Sequence, residues 1–181
     1  MPNFVSMVNY FELYGLNISF HPDQDQVKKK FYELSRQFHP DKFAQAGSEA
    51  IDEALKMSAM INAGYKILKD EDAIVNYILK YHQVLEDEEK YNLSPDFLME
   101  MMELNEAVSD YEMEQDDSTK DAAIRDWQTQ ASQLQGELNP LTEKYDSGDH
   151  SAQLLQQIKD CYFRKKYLLR IKERIAKFAA L

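Results

Sequence analysis

Two His-Pro-Asp tripeptides, at 21–23 and 39–41, are the strongest chemical signal in the chain. Proline holds the residue before it in extended backbone, so such a tripeptide presents an aspartate from a stiff turn. A loop carboxylate of this kind accepts a charge-assisted hydrogen bond from a partner arginine, worth roughly 1.5–3 kcal/mol. Context separates the two copies. His21-Pro22-Asp23 stands just before a helical pattern with Gln26 three residues on, so Asp23 reads as an N-cap in a capping box. His39-Pro40-Asp41 falls between two helical patterns, follows Lys28, Lys29, Lys30 and Arg36, and continues into Lys42 and Phe43. Asp41 is therefore expected to project beside a positive surface. The lysines alone are equally read as a solvated helix face. No second constellation competes. Cys161 falls on an apolar seam and reads as a buried thiol, and a single cysteine excludes a disulfide framework or a CxxC zinc site. His82 and His150 have no Cys or carboxylate at metal-ligand spacing, and Asp116-Asp117 reads as a helix-end or loop pair without a pocket. No catalytic residue, metal or cofactor is expected, so the chain reads as a binding protein and not an enzyme.

Composition narrows the classes further. Thirty-two acidic against 21 basic residues leave a net charge of −11, which would repel nucleic-acid phosphates. The 181 residues, 44% of them hydrophobic, suffice for one large or two small domains with real cores. Five glycines and no Walker or dinucleotide fingerprint argue against a phosphate-cradling loop. No apolar run approaches the ~18 residues of a membrane span. The first basic residue is Lys28, so neither a secretory leader nor an Arg-rich transit peptide is expected. These observations imply a cytoplasmic protein with no membrane and no nucleic-acid partner. Charge is also zoned: residues 84–126 hold fifteen acids and three bases, 28–42 five bases and two acids, and 151–181 eight bases and two acids. The acidic middle and basic end are expected to attract each other within one bundle, or else to be solvated faces.

The elements that must position these residues are helices, because Gly and Pro are scarce and apolar residues recur at threes and fours. Val27, Phe31, Leu34 and Phe38 mark one face, ended by His39-Pro40. Ala54, Ser58, Ile61, Tyr65 and Leu68 mark a second helix, and a tight polar loop between the two predicts an antiparallel hairpin. Glu86-Asp87-Glu88-Glu89-Lys90 is read as the domain connector. Ser94-Pro95 reads as N-cap and first turn of a helix with the seam Phe97, Met101, Leu104, Val108 and Tyr111. The next seam is Ile124, Trp127, Ala131, Leu134, Leu138, Leu141 and Tyr145, in which Pro140 is expected to kink or split the helix. The last helix shows Leu154, Leu155, Ile158, Cys161, Tyr162 and Leu169 on one side. The fold class predicted is all-α: a helical hairpin with flanking short helices over 1–82, a connector over 83–90, and an antiparallel three-helix bundle over 91–181.

Residues 9–80 resemble a J-domain, the module by which co-chaperones engage 70-kDa heat-shock chaperones. The resemblance rests on Tyr10-Phe11-Glu12-Leu13-Tyr14-Gly15-Leu16, on the lysine-rich helix before His39-Pro40-Asp41-Lys42, and on Ile61-Asn62-Ala63-Gly64-Tyr65-Lys66-Ile67-Leu68. Tyr77-Ile78-Leu79 fits the closing segment, although Ile74 and Glu71 stand about where the family often places arginine and proline. The resemblance implies that His39, Pro40, Asp41 and Lys42, with Lys28, Lys29, Lys30 and Arg36, contact the chaperone and stimulate its ATPase.

The chain lacks the Gly/Phe-rich linker and cysteine-rich region of general DnaJ proteins. A J-like part joined to an acidic helical bundle instead resembles the HscB-type co-chaperones of iron–sulfur cluster assembly, in which Phe97-Leu98-Met99-Glu100-Met101-Met102-Glu103-Leu104 looks like the stretch that receives the scaffold IscU. At about 100° per residue, Leu98 and Met102 lie roughly 100–140° off their own seam. Phe163 and Tyr167 lie about as far off theirs. Such off-seam pairs are either extra core or patches awaiting a partner. Glu103, Glu106 and Asp110 would rim the first pair. The resemblance places Leu98, Met102 and Phe163 at scaffold-contact positions and implies two partners, an HscA-like chaperone and an IscU-like scaffold. A J-protein of general folding that binds unfolded clients is the alternative, and a bundle in which the tripeptide is accidental is a third.

Overall fold

The computed structural model describes residues 8–114 and 116–179, with seven α-helices and no strand among them. The all-α expectation holds. The chain divides into two compact units, Met1–Gln83 and Val84–Leu181.

In the first unit, α1 spans Tyr10–Leu13, α2 Gln24–Gln37, a single 3-10 turn Pro40–Phe43, α3 Ser48–Leu68 and α4 Glu71–Tyr81. Asp23 starts α2 by accepting from the N–H groups of Asp25 and Gln26 at 2.9 and 3.0 Å, and the Gln26 amide reaches back to it at 3.1 Å. Asp23 is thus the N-cap, while the Gln26 amide returns to the Asp23 side chain and not to its backbone N–H, so only the forward half of the expected capping box forms. The α2–α3 hairpin is antiparallel: Gln24 at the start of α2 donates to the Leu68 carbonyl at the end of α3, and Phe31 stacks on Tyr65 at 4.2 Å. Of the predicted α2 face, Val27 is fully buried, whereas Phe31, Leu34 and Phe38 are half-buried. The short α1 packs on α3 at Gly64, where an added Cβ would sit 2.9 Å from the Tyr14 ring and 3.0 Å from the Tyr10 ring. Tyr14 Oη donates to the Ile61 carbonyl at 2.6 Å, and burial pushes its phenol pKa up. Helix α4 forms around both departures from the J-domain pattern. Asp70 caps it through Ala73 N–H at 2.8 Å, Glu71 opens its first turn, and Ile74 is core.

In the second unit, α5 spans Pro95–Glu114, α6 Asp117–Asp146 and α7 Ala152–Ala179. Trp127 Nε1 donates to the Leu168 carbonyl at 2.8 Å, Glu137 pairs with Arg164, and Tyr145 meets His150, so α6 and α7 run antiparallel. Asn105 bonds Tyr167 and Glu112 bonds Arg174, so α5 and α7 run the same way. This is the up-down-up order that short connections impose. The α5 seam Phe97, Met101, Leu104, Val108 and Tyr111 is buried throughout.

Three local expectations change. Of the two outcomes expected at Pro140, a split does not occur: α6 is one helix through it. Proline leaves the carbonyl four residues back without its usual donor and crowds it. Here that residue is Gly136, and Leu138, Thr142 and Tyr145 are buried on both sides of the proline and hold the helix together. On α7 the core line is Cys161, Leu168, Ile171 and Ile175; Leu169 is exposed and Tyr162 only half-buried. Leu168 lies two near-turns from Cys161, whereas Leu169 is about 100° further round. Finally, residues 84–90 belong to the second unit, with packing of their own. Leu85 is buried, and the buried Lys159 ammonium bonds the Val84 carbonyl at 2.7 Å and pairs with Glu89. Val84 to Tyr91 forms a strap over α7.

Candidate functional site

The chain carries two separate candidate surfaces, one in each unit. In the first, the α2–α3 connection is built by His39 and Pro40. His39 is extended (φ −64°, ψ 125°), and its Nδ1 accepts from the Asp41 N–H at 3.3 Å. Pro40 opens the 3-10 turn, where a missing N–H costs nothing, and the Lys42 N–H returns to the His39 carbonyl at 3.0 Å. Both ends of the turn are thus tied down. The Asp41 side chain is 89% exposed, with one oxygen 3.6 Å from His39 Nδ1. The carboxylate is presented to solvent, and Lys42 beside it is exposed.

Lys28, Lys29 and Arg36 are exposed along α2. Lys30 is turned elsewhere and pairs with Glu33 at 3.1 Å. Tyr32, four residues from both Lys28 and Arg36, stands exposed between them. In the sequence its one signal is its offset from the Val27–Leu34 face.

The second surface lies in the bundle. Leu98 and Met102 are 41% and 67% exposed, and Met99 is 69% exposed. Met99 adds to the predicted pair, and Met113, three turns further along α5, is exposed as well. Asn105 sits about 80° from Phe97 and its amide bonds Tyr167 Oη at 3.0 Å, which fixes the flank of α5 that borders α7. Leu98 and Met102 follow some 20–60° beyond Asn105 on that flank. Glu106, Asp110 and Glu103, all exposed, come further round α5. Across the seam, Phe163 and Tyr167 are half-buried on α7. Tyr167 meets Phe97 edge-on at 5.7 Å. Phe163 stacks on Tyr91 with the ring planes nearly parallel and the centroids 4.4 Å apart. Tyr91, whose Oη donates to Asp160 at 2.9 Å, was invisible to periodicity because it belongs to the strap.

The remaining candidates carry structure. Cys161 is buried, burial pushes its thiol pKa up, and Arg164 donates to its Sγ at 3.3 Å. His82 and His150 pack against Tyr81 and Tyr145. Among the described residues no three His, Cys, Asp or Glu side chains converge as a metal set, and no helix is long and apolar enough to cross a membrane.

Comparison with known proteins agrees in both units. Residues 9–78 match the DnaJ domain, and 93–176 match the family described as the HSCB C-terminal oligomerisation domain. A co-chaperone protein HscB homolog from Vibrio campbellii is 31% identical over 170 residues, 93% of this chain and 95% of that protein. Its counterpart from Vibrio atlanticus is 39% identical over 104 residues, 57% of this chain and 61% of that protein. Among solved structures, the human co-chaperone HscB superposes with a TM-score of 0.75 over 94% of this chain and 82% of that one; at 24% identity it speaks for the fold alone. The chaperone HscB from Vibrio cholerae superposes with a TM-score of 0.63 at 27% identity, over 93% and 99%. With a J-domain in one unit, an HscB-type bundle in the other, and a relative aligned along nearly its whole length, the chain belongs to the HscB family of co-chaperones.

Proposed function

We propose that the protein is a cytoplasmic adaptor of iron–sulfur cluster assembly that brings an IscU-like scaffold to an HscA-like 70-kDa chaperone. The J-domain engages the chaperone through His39, Pro40, Asp41 and Lys42, steered by Lys28, Lys29, Lys30 and Arg36. The bundle carries the scaffold on Leu98, Met102 and Phe163, with Tyr167 beside them and Glu103, Glu106 and Asp110 at the rim. The observation that carries this reading is the Asp41 carboxylate, held on a tied turn and 89% exposed at the end of a basic helix. A partner arginine would bond it, and the cations would speed and orient encounter with an acidic surface. Neither surface offers a nucleophile–base pair, so the hydrolytic chemistry is assigned to the chaperone. One chain that holds both partners raises the scaffold's effective concentration at the chaperone.

The test is the chaperone's ATPase rate with wild-type protein and with Asp41→Asn, which keeps the turn's shape and removes the charge. Stimulation should fall roughly tenfold or more, the equivalent of one charge-assisted hydrogen bond. Equal stimulation by the variant would refute the docking role. Selective capture of the scaffold, lost on Leu98→Ala with Phe163→Ala, separates this reading from a general folding co-chaperone, whose unfolded clients would bind the wild type as well as the scaffold does.

A further inference from the structure

Beside Phe163 the bundle holds a cavity of about 310 Å³ bounded by Tyr91, Phe163, Tyr167, Lys90, Lys166 and Arg170. We infer that this cavity is an anion-receiving subsite of the scaffold-docking face, which takes a side-chain carboxylate of the docked partner. The inference rests on the scaffold reading above and adds the chemistry that the partner must bring.

Four observations carry it. The walls hold three cationic side chains and one acid, Glu89. Glu89 is paired with the buried Lys159, which holds its carboxyl below the usual glutamate range, so its charge is already matched within the strap. The cavity therefore presents net positive charge in a chain whose overall charge is −11. Its side is aromatic: the parallel, half-buried Tyr91–Phe163 stack lines it, and a low-dielectric wall of this kind strengthens an ion pair formed against it. Lys166 is held in place with its ammonium 5.5 and 5.7 Å from the Tyr162 and Phe163 ring centres. Finally, the signs are ordered across the surface. Glu103, Glu106 and Asp110 lie on the far side of Leu98 and Met102, the Asn105–Tyr167 bond marks the α5–α7 seam, and the cations lie beyond it. A partner seated on the apolar residues meets negative charge on one side and positive on the other. It must carry a base and an acid in matching order, and the reversed orientation is repelled. The acidic face of α5 equally disfavours a polyanion, which would have to lie across it. The occupant is thus a folded protein with a carboxylate beside its apolar contact.

The test measures association of the full chain with the purified scaffold at several salt concentrations, for the wild type, Lys166→Glu/Arg170→Glu and Leu98→Ala. Both basic residues are exposed, so the fold should survive, and Lys166→Gln/Arg170→Gln serves as the milder variant. The charge-reversed variant should associate about tenfold more slowly at low salt, with a flattened salt dependence; the neutral variant should fall between. Leu98→Ala should dissociate faster and keep the wild-type salt slope. Chaperone stimulation without scaffold should be the same for all. Unchanged association of the charge variants, with a wild type that binds, overturns the subsite and leaves the proposed function standing. A wild type that does not bind the scaffold overturns both. Binding of short DNA or anionic vesicles by the wild type, lost in the charge-reversed variant, also overturns the subsite, because it would then serve a polyanion.

Discussion

Adjacent residues on α5 have opposite fates, and the difference is a matter of about 100° of helix rotation. Phe97 is buried against Tyr167 and Arg164, while Leu98 keeps 41% of its surface exposed. Removing a buried aromatic side chain leaves a cavity and typically costs about 3–5 kcal/mol, whereas surface substitutions usually stay within about 0.5 kcal/mol. In urea titrations, Phe97→Ala should therefore destabilise the bundle by about 3 kcal/mol or more. Leu98→Ala and Met102→Ala should leave its midpoint nearly unmoved while weakening scaffold capture. A Leu98→Ala that melts like Phe97→Ala would make Leu98 core and remove it from the docking face. Met99 and Met102 suit that face because an unbranched thioether adapts to its partner's shape.

The strap formed by residues 84–91 is the element whose behaviour depends most on one ion pair. Lys159 is buried and reaches the Val84 carbonyl, Glu89 and the Tyr91 ring. Because Lys159 lowers the Glu89 pKa in the folded protein, the pair stabilises the strap above the ordinary glutamate range. That contribution shrinks as pH falls below the unfolded value and is lost once pH passes the depressed folded one. Amide exchange across 84–91 should accelerate in that acid window relative to α5–α7. Glu89→Gln should show the faster exchange already at neutral pH, with the acid dependence removed. Wild-type exchange that tracks the whole bundle at every pH would mean that the pair does not hold the strap. The same element shows what local pattern carries and what it cannot. The N-cap at Asp23, the α5 seam and the turn at His39-Pro40 were legible because their partners lie within a few residues. The strap was not, since its anchor Lys159 is 75 residues from Val84. Leu168 was missed for a related reason: with Leu168 and Leu169 side by side, only the packing of α6 chooses between them. Tyr91 and Tyr32 became candidates once their neighbours showed which flank stays uncovered.

At the scale of the whole molecule, each unit has its own core: Phe11, Tyr14, Ile61, Leu68 and Ile78 in one, Met101, Val108, Leu138, Ile158 and Leu168 in the other. Each unit is compact with a buried core of its own, so each half should fold when expressed alone. The proposed work nevertheless needs both on one chain. Binding two partners through a covalent link makes the second encounter intramolecular, at effective concentrations that reach the millimolar range for short connections, and overall avidity then exceeds either affinity by roughly 10²–10⁴. The halves 1–83 and 84–181, mixed at micromolar concentration, should retain their single activities: the first stimulates the chaperone, the second captures the scaffold. They should fail to place the scaffold on the chaperone at the rate of the intact chain, with a deficit of about a hundredfold or more. A pull-down of scaffold by chaperone under ATP turnover reads this directly. Mixed halves that match the intact chain would mean that the two surfaces act independently and that the covalent connection contributes folding history alone.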